Sequence, residues 1–206
     1  MRLLDAFAAV RAMDAPVFTT PDAAAHLGVA NGPASVLLAR LAAAGPLVRL
    51  RRGVWARPDK IDPLALPEFL TAPLPAYVSL QSALYLHGII SQVPSVTYAV
   101  TLARTRRYAT ALGVVSLHHV QPAFFFGFET QGDAGGRLAT PEKALVDFLY
   151  LSPARSALFR VLPELEWPAR FRSGVARDMV RRIPSPRRRE FVGAKLEELL
   201  STRRAK

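Results

Sequence analysis

The stretch "PLVRLRRGVWARP" (46–58) predicts a β-hairpin with arginines at its tip and along one edge. Its first half alternates, with Arg49 and Arg51 on the face opposite the apolar side chains, as in a strand with one buried face. Arg52 and the following glycine predict the turn, and Arg57 lies near the end of the return strand. The sequence therefore predicts a strongly basic hairpin.

The residues before this hairpin predict three short helices. The first lies in "LLDAFAAV", the second begins with Thr20 as its N-cap and stops at Gly28, and the third spans about 33–44. Two short helices joined by a glycine-containing turn are typical of a helix-turn-helix. Together with the basic hairpin, they predict a winged helix-turn-helix DNA-binding domain over residues 1–60.

This arrangement would place the N-terminus of the third helix in the major groove of DNA. Polar side chains are few there, so bidentate recognition of bases would have to come from Arg40 or the hairpin. The hairpin arginines are expected to contact phosphates or the minor groove, which makes affinity strongly salt-dependent. The predicted DNA contacts in this domain are Asn31, Ser35, Arg40, Arg49, Arg51, Arg52 and Arg57.

Charge is distributed unevenly along the 206 residues. Lys and Arg total 27 against 16 acidic residues, giving a net charge of +11. The excess lies at the two ends, +4 over 1–60 and +7 over 160–206, and residues 61–159 are neutral. Basic ends indicate a polyanionic partner, namely double-stranded DNA. Two alternatives remain: an arginine-rich composition that reflects a GC-rich genome, and a winged helix that docks proteins without affinity for DNA.

Composition also excludes several classes of protein. The chain has no cysteine, which removes disulfides, thiolate nucleophiles and cysteine-ligated zinc. No apolar stretch is long enough to span a membrane, and Asp5 and Arg11 interrupt what would be the apolar part of a signal peptide. We therefore expect a cytoplasmic protein without membrane association.

The rest of the chain predicts a second, mixed α/β domain and hence an α+β protein. A proline-rich, semi-extended connector is expected over 61–76, an α/β domain with a small sheet over 77–160, and a basic tail with an amphipathic helix over 161–206. The predicted strands are 97–102, 114–120 and 123–128, and the predicted helices begin at Ser79 and Thr140. The tail could pack back on the domain, pair with a second copy, dock a partner, contact phosphates or remain solvated.

We find no pattern that predicts catalysis or a cofactor. His87 lies on the apolar side of the helix that begins at Ser79, and no acid is spaced to form a metal pair with it, so we expect a structural histidine. His118 and His119 point to opposite faces of a strand and cannot share a metal. Glu142 and Lys143 are adjacent and lack the acid spacing of a metal-dependent nuclease, which leaves a nuclease-like enzyme as the weakest alternative.

Three blocks in order resemble the AbiEi antitoxin family. They are "YVSLQSALYLHGIISQVPSVTYAVTLARTRRYATALGVVSLHHV" (77–120), aromatic residues around Gly127, and "LATPEKALVDFLYL" (138–151). The resemblance extends over about residues 15–152. It implies a winged helix followed by a domain peculiar to the family, and the regulator half of a bacterial type IV toxin–antitoxin system that acts in phage defence.

The resemblance further implies repression of the protein's own operon, through binding to its promoter, and neutralisation of a nucleotidyltransferase toxin. That neutralisation need not involve direct contact with the toxin. By position, Arg49, Arg51 and Arg52 match the DNA-contacting role of the family's winged helix. A second set of candidates, Arg104, Arg106 and Arg107, is expected just past the end of a strand. The operator and the oligomeric state stay open.

Overall fold

The computed structural model describes residues 2–131, 135–152 and 164–204, which form a mixed α+β structure in three layers. An N-terminal unit packs against one face of a six-stranded sheet, and helices cover part of the other face. The C-terminal helix that the sequence predicts is present. The boundary expected at 160/161 lies outside the described residues.

The N-terminal unit combines three helices with a three-stranded antiparallel sheet of order β1-β3-β2. Its helices surround a core that includes Leu38, Leu41 and Trp55. Gly28 ends the second helix in the left-handed conformation, at φ 65°. The elements are α1 (Leu3–Arg11), β1 (Val17–Thr19), α2 (Thr20–Leu27), α3 (Asn31–Ala43), β2 (Val48–Arg51) and β3 (Val54–Ala56).

Thr19, not Thr20, is the N-cap of α2, so the predicted cap was wrong by one residue. The Thr19 hydroxyl accepts from the Asp22 N–H, and the Asp22 carboxylate accepts from the Thr19 N–H, which together form a capping box. Thr20 instead accepts a hydrogen bond from the indole Nε1 of Trp55, at 2.9 Å. This contact joins the start of α2 to the hairpin.

The larger sheet has the strand order β6-β7-β5-β4-β9-β8, in which β5–β7 and β4–β9 pair parallel and the other neighbours antiparallel. Six strands make it larger than the small sheet expected from the sequence. Its elements, with the helices, are α4 (Leu66–Thr71), β4 (Ala76–Val78), α5 (Leu80–Leu86), β5 (Thr97–Thr101), β6 (Arg106–Thr110), β7 (Gly113–His119), β8 (Phe128–Gln131), β9 (Gly136–Ala139), α6 (Pro141–Leu151), α7 (Ser173–Arg181) and α8 (Pro186–Arg204).

Apolar side chains on both faces of this sheet explain the three layers. Val115 and Leu117 of β7 pack with Leu50 and Val54 of the N-terminal unit. On the opposite face, Tyr77 belongs to a core shared with α5, α6, α7 and α8. Strand β2 of the hairpin lies beside β6, the edge strand of the larger sheet. The hairpin is therefore held between its own helices and the second sheet.

Three local expectations were wrong. The segment 123–128 is not a strand, because Pro122 starts a 3₁₀ turn (Pro122–Phe124) and β8 begins only at Phe128. The expected connector at 61–76 contains α4, whose apolar side chains pack between the two sheets. Arg106 and Arg107 lie within β6 and not past the end of a strand, because residues 106–110 pair with β7. Short paired strands with exposed polar residues carry a weak sequence pattern.

Candidate nucleic-acid interface

The N-terminus of α3 presents a sparse polar surface. Ala30 precedes the helix and provides no side-chain cap, and the first turn has no acidic residue. The first backbone N–H groups therefore keep the partial positive charge that attracts an anion. Asn31, Ser35 and Arg40 are exposed as expected, but Asn31 and Arg40 lie toward opposite margins of the exposed face. The centre of this face holds small residues and Val36, which is 60% exposed.

The hairpin holds its three arginines in different ways. Arg49 is exposed, with its guanidinium carbon 5.5 Å from the centre of the Trp55 ring. Arg52 is exposed at the turn. Arg51 is half-buried and donates to the Ala72 carbonyl at 3.3 Å, after a change of register in β2 between Arg49 and Arg51. Arg49 and Arg52 are thus open to a ligand, while Arg51 links the hairpin to the end of α4.

Arg57 faces the protein interior. Arg57 is only 8% exposed. Its guanidinium donates to the backbone carbonyl of Arg11 at 2.7 Å and to that of Asp14 at 3.4 Å. These bonds fasten the end of β3 to the loop after α1. Arg57 therefore stabilises the fold, and little of its surface is accessible to a nucleic acid.

The second set of arginines is divided between the two faces of the larger sheet. Arg106 pairs in register with Leu117, so it lies on the face that borders the N-terminal unit, next to β2. Arg107 pairs with Ser116 and lies on the other face. Arg104 is exposed in the turn before β6. Of these three, Arg106 shares a face of the sheet with the hairpin, and Arg107 does not.

His87 has a structural environment. It follows the last residue of α5, its Nε2 is 2.6 Å from the Ala139 carbonyl, and Arg170 donates to its Nδ1 at 3.0 Å. Because Nδ1 accepts, Nε2 carries the proton and the ring is neutral in this geometry. Burial, aided by the charge of Arg170, lowers the pKa of His87, and the contact with Ala139 opposes this effect.

The three sequence blocks at 77–120, around Gly127 and at 138–151 meet in a buried ionic cluster that sequence analysis missed. Lys143 donates to the Asp147 carboxylate at 2.5 Å, and the same carboxylate accepts from the hydroxyls of Tyr77 at 2.9 Å and Ser79 at 2.8 Å. Ser79 occupies the N-cap position of α5, as expected, but its hydroxyl makes no capping hydrogen bond to the helix. The one available signal was a Lys–Asp pair at i, i+4 in an otherwise apolar stretch of helix.

Aromatic rings and a glycine complete the surroundings of Lys143. Its Nζ lies 3.6 Å from the centre of the Phe124 ring and donates to the Phe124 carbonyl at 3.0 Å. Gly127 has φ 76°, and a Cβ there would come within 3.1 Å of the Lys143 side chain. Burial lowers the pKa of Lys143 and raises that of Asp147, and their mutual attraction opposes both shifts. The cluster is inaccessible to solvent.

Features of other functional classes can be assessed for the described residues. Across 2–131, 135–152 and 164–204, histidine, aspartate and glutamate side chains nowhere form a group of three that could hold a metal ion. Glu142 is 2% exposed and accepts from the Arg172 N–H. In the same part of the chain, no helix has both the length and the apolar content that a bilayer requires.

Comparison with known proteins finds a family model that matches the N-terminal part of the chain. Residues 8–58 fit the family model AbiEi_4, described as "Transcriptional regulator, AbiEi antitoxin". This range runs from the last turn of α1 to just past β3, which includes the basic hairpin. It ends before the three blocks at 77–151, whose resemblance stays a prediction. No curated protein matches the chain. The comparison confirms the resemblance to the AbiEi family of antitoxins and transcriptional regulators, and residues 8–58 carry it.

Proposed function

We propose that this protein is a DNA-binding antitoxin and transcriptional autorepressor of a type IV, AbiE-like toxin–antitoxin operon, which counteracts a nucleotidyltransferase toxin in the bacterial cytoplasm. One observation carries the proposal: the residues that match the family of regulators, 8–58, include the last turn of α1, the whole of α2 and α3, and the basic hairpin. The order of elements from α1 to β3 supports an interpretation as a winged helix-turn-helix.

In this interpretation α3 is the recognition helix and the β2–β3 hairpin is the wing. The uncapped N-terminus of α3 enters the major groove with Asn31 and Ser35, and Arg40 follows at its margin. The exposed centre of the helix is apolar, so it suits contact with thymine methyl groups better than hydrogen bonding to guanine. We therefore expect most of the affinity to come from phosphate contacts.

The phosphate contacts are assigned to the exposed arginines around the hairpin. Arg49 and Arg52 lie on the wing, and Arg106 lies on the neighbouring edge of the larger sheet, with Arg104 just before it. Each contact of this kind releases counterions from DNA, which makes affinity fall steeply with salt. Arg51 and Arg57 act as supports in this proposal, because their guanidinium groups bond to backbone carbonyls within the protein.

The test is a gel-shift titration of the full chain on its own upstream region at a low and a physiological salt concentration. We expect a specific complex at both, weaker at higher salt, and at least a tenfold loss of affinity for Arg49→Ala/Arg52→Ala. Arg187→Ala, which removes an exposed arginine on α8, is the control and should bind as the wild type does. Absence of binding at low salt would refute the proposal.

A second function has one observation in its favour. The exposed centre of α3 is apolar, with Val36 60% exposed, and such a surface also suits contact with a protein. The chain would then be a winged-helix interaction module without affinity for DNA. The same titration separates the two functions: a module of this kind gives no shift with DNA, and binding to its partner is lost on Val36→Asp.

A further inference from the structure

A β-bulge in strand β2 directs two neighbouring arginines to opposite faces of the three-stranded sheet. Arg49 pairs with Trp55 of β3, and Arg51 pairs with Val54, so Leu50 is the extra residue of the bulge. In a regular strand, residues at i and i+2 would share one face of the sheet. Arg49 and Arg51 therefore have different surroundings, although they stand two residues apart.

Each face of this sheet packs on a different part of the protein. Trp55 is 2% exposed in the core formed with the helices of the N-terminal unit, whereas Leu50 and Val54 pack toward the larger sheet. A residue paired across two strands shares the face of its partner. Arg49 therefore lies on the helix side of the hairpin, where β2 also contacts α3, the proposed recognition helix. Arg51 lies on the other side.

Trp55 holds Arg49 in place and leaves it exposed. The guanidinium carbon of Arg49 lies 5.5 Å from the centre of the Trp55 ring, within the range of a cation–π contact. The ring itself is fixed, because it is buried and its Nε1–H donates to the Thr20 hydroxyl at 2.9 Å. The backbone N–H of Thr20 also donates to the Gly53 carbonyl in the hairpin turn, at 2.9 Å. An arginine that rests on a fixed ring loses less side-chain freedom when it binds a phosphate.

We propose that Trp55 is a positioning residue for DNA binding, which orders Arg49 beside α3 so that its guanidinium contacts a phosphate next to the groove that α3 enters. This inference rests on the proposed function and separates the two exposed arginines of the wing. Arg52, at the turn, has no hydrogen bond, ion pair or ring contact with a described residue. Arg49 is therefore ordered before DNA arrives, and Arg52 becomes ordered only on binding.

Variants that lack one wing arginine provide a matched test. Fluorescence anisotropy would measure binding of the full chain to a labelled duplex of its own upstream region. We expect Trp55→Leu, which removes the ring, to weaken binding about fivefold in the wild type and in Arg52→Ala, but less than about twofold in Arg49→Ala. Trp55→Phe keeps a ring under Arg49 and should bind within about twofold of the wild type. A purely structural role of Trp55 would weaken binding equally in all three backgrounds.

A measurement without DNA tests the same difference between the two arginines. NMR relaxation of the arginine Nε–H groups reports their order on the picosecond-to-nanosecond timescale. In the free wild type, the order parameter of Arg49 should exceed that of Arg52. Because this comparison needs no variant, it decides even where Trp55→Leu does not fold, which circular dichroism verifies.

The outcomes separate this role from the proposed function. The role of Trp55 is overturned if Arg49 and Arg52 are equally mobile, or if Trp55→Leu costs the same affinity in Arg49→Ala as in Arg52→Ala. If the wild type does not bind the duplex, the proposed function fails and the role of Trp55 fails with it. If the wild type binds and all backgrounds respond alike, only the role of Trp55 fails.

Discussion

Basic residues at the two ends of this chain differ in what they contact. In the N-terminal unit, Arg40, Arg49 and Arg52 are exposed, and none forms an ion pair with a described residue. In the C-terminal helices several guanidinium groups bind the protein itself: Arg188 donates to the Tyr150 carbonyl and Arg189 to the Ile183 carbonyl. One set is available to a ligand, and the other joins helices together.

Other arginines in the C-terminal region also contact the protein itself. Arg177 forms a two-point pair with Glu197, which connects α7 to α8. The guanidinium of Arg182 lies 3.5 Å from the centre of the Phe126 ring. Residues 160–206 carry more net positive charge than residues 1–60. They are nevertheless weaker evidence for a polyanionic partner, because several of their cations contact the protein itself. Net charge identifies a binding surface only when the cations lack partners within the protein.

Among the described residues, Lys143 is the most deeply buried cation that contacts the protein itself. Its loss should therefore have the largest effect on stability. Lys143→Met keeps the volume and leaves the Asp147 carboxylate buried without its cation. We expect the free energy of unfolding to fall by about 3–5 kcal/mol, measured by urea denaturation. The proposed DNA surface is remote from this cluster, so affinity for DNA should be unchanged under conditions where the variant is folded.

The companion variant Lys143→Met/Asp147→Asn separates charge from packing. A neutral amide oxygen still accepts from the hydroxyls of Tyr77 and Ser79 and needs no cation. This double variant should therefore be more stable than Lys143→Met alone. A single variant as stable as the wild type would show that the pair contributes little.

The next prediction compares the two ends directly, with two charges removed from each. Arg49→Ala/Arg52→Ala should reduce the slope of log affinity against log salt by about 2, since two phosphate contacts are lost, and leave the unfolding free energy within about 0.5 kcal/mol. Arg188→Ala/Arg189→Ala should do the opposite: about 1–3 kcal/mol of stability lost, because carbonyls lose charged donors, with the salt slope unchanged. Identical effects of the two double variants on the salt slope would contradict the distinction.

Local patterns predicted the N-terminal unit well, for a physical reason. Its helices are amphipathic, and a short turn joins the hairpin strands, so neighbouring residues decide the structure. Gly28 ends α2 because its left-handed conformation needs a glycine. The misplaced N-cap follows from the same logic, since two adjacent threonines compete and only Thr19 has an acid at its third following residue.

The larger sheet was harder to predict, because its pairings join residues far apart in sequence. Val78 of β4 pairs with Leu138 of β9, and three-residue strands such as β4 carry almost no periodicity. At the candidate site, the alternation of residues along the hairpin predicted which arginines are exposed. It could not predict which arginines form hydrogen bonds within the protein. The sequence marks Arg57 as basic, and its contacts with Arg11 and Asp14 appear only in three dimensions.

The smallest effect concerns His87, where burial of the imidazole imposes a pH dependence. Because burial lowers the pKa of His87 below its ordinary 6.5, the unfolded chain binds a proton before the folded one does. Stability should thus be complete above about pH 6.5 and decline as the pH falls toward the pKa of the folded protein. Protonation of Nδ1 also removes the acceptor for Arg170 and places two cations side by side.

Urea denaturation between about pH 5 and 8 tests this through His87→Gln, whose amide can still donate to the Ala139 carbonyl. The variant should lose part of the decline, by less than about 1 kcal/mol at the acidic end. Burial also lowers the pKa of His118, so a remainder is expected in His87→Gln. His26→Gln, on the exposed side of α2, is the matched control and should keep the wild-type pH dependence. If His87→Gln keeps it as well, the contact between Arg170 and His87 does not hold the imidazole neutral in solution.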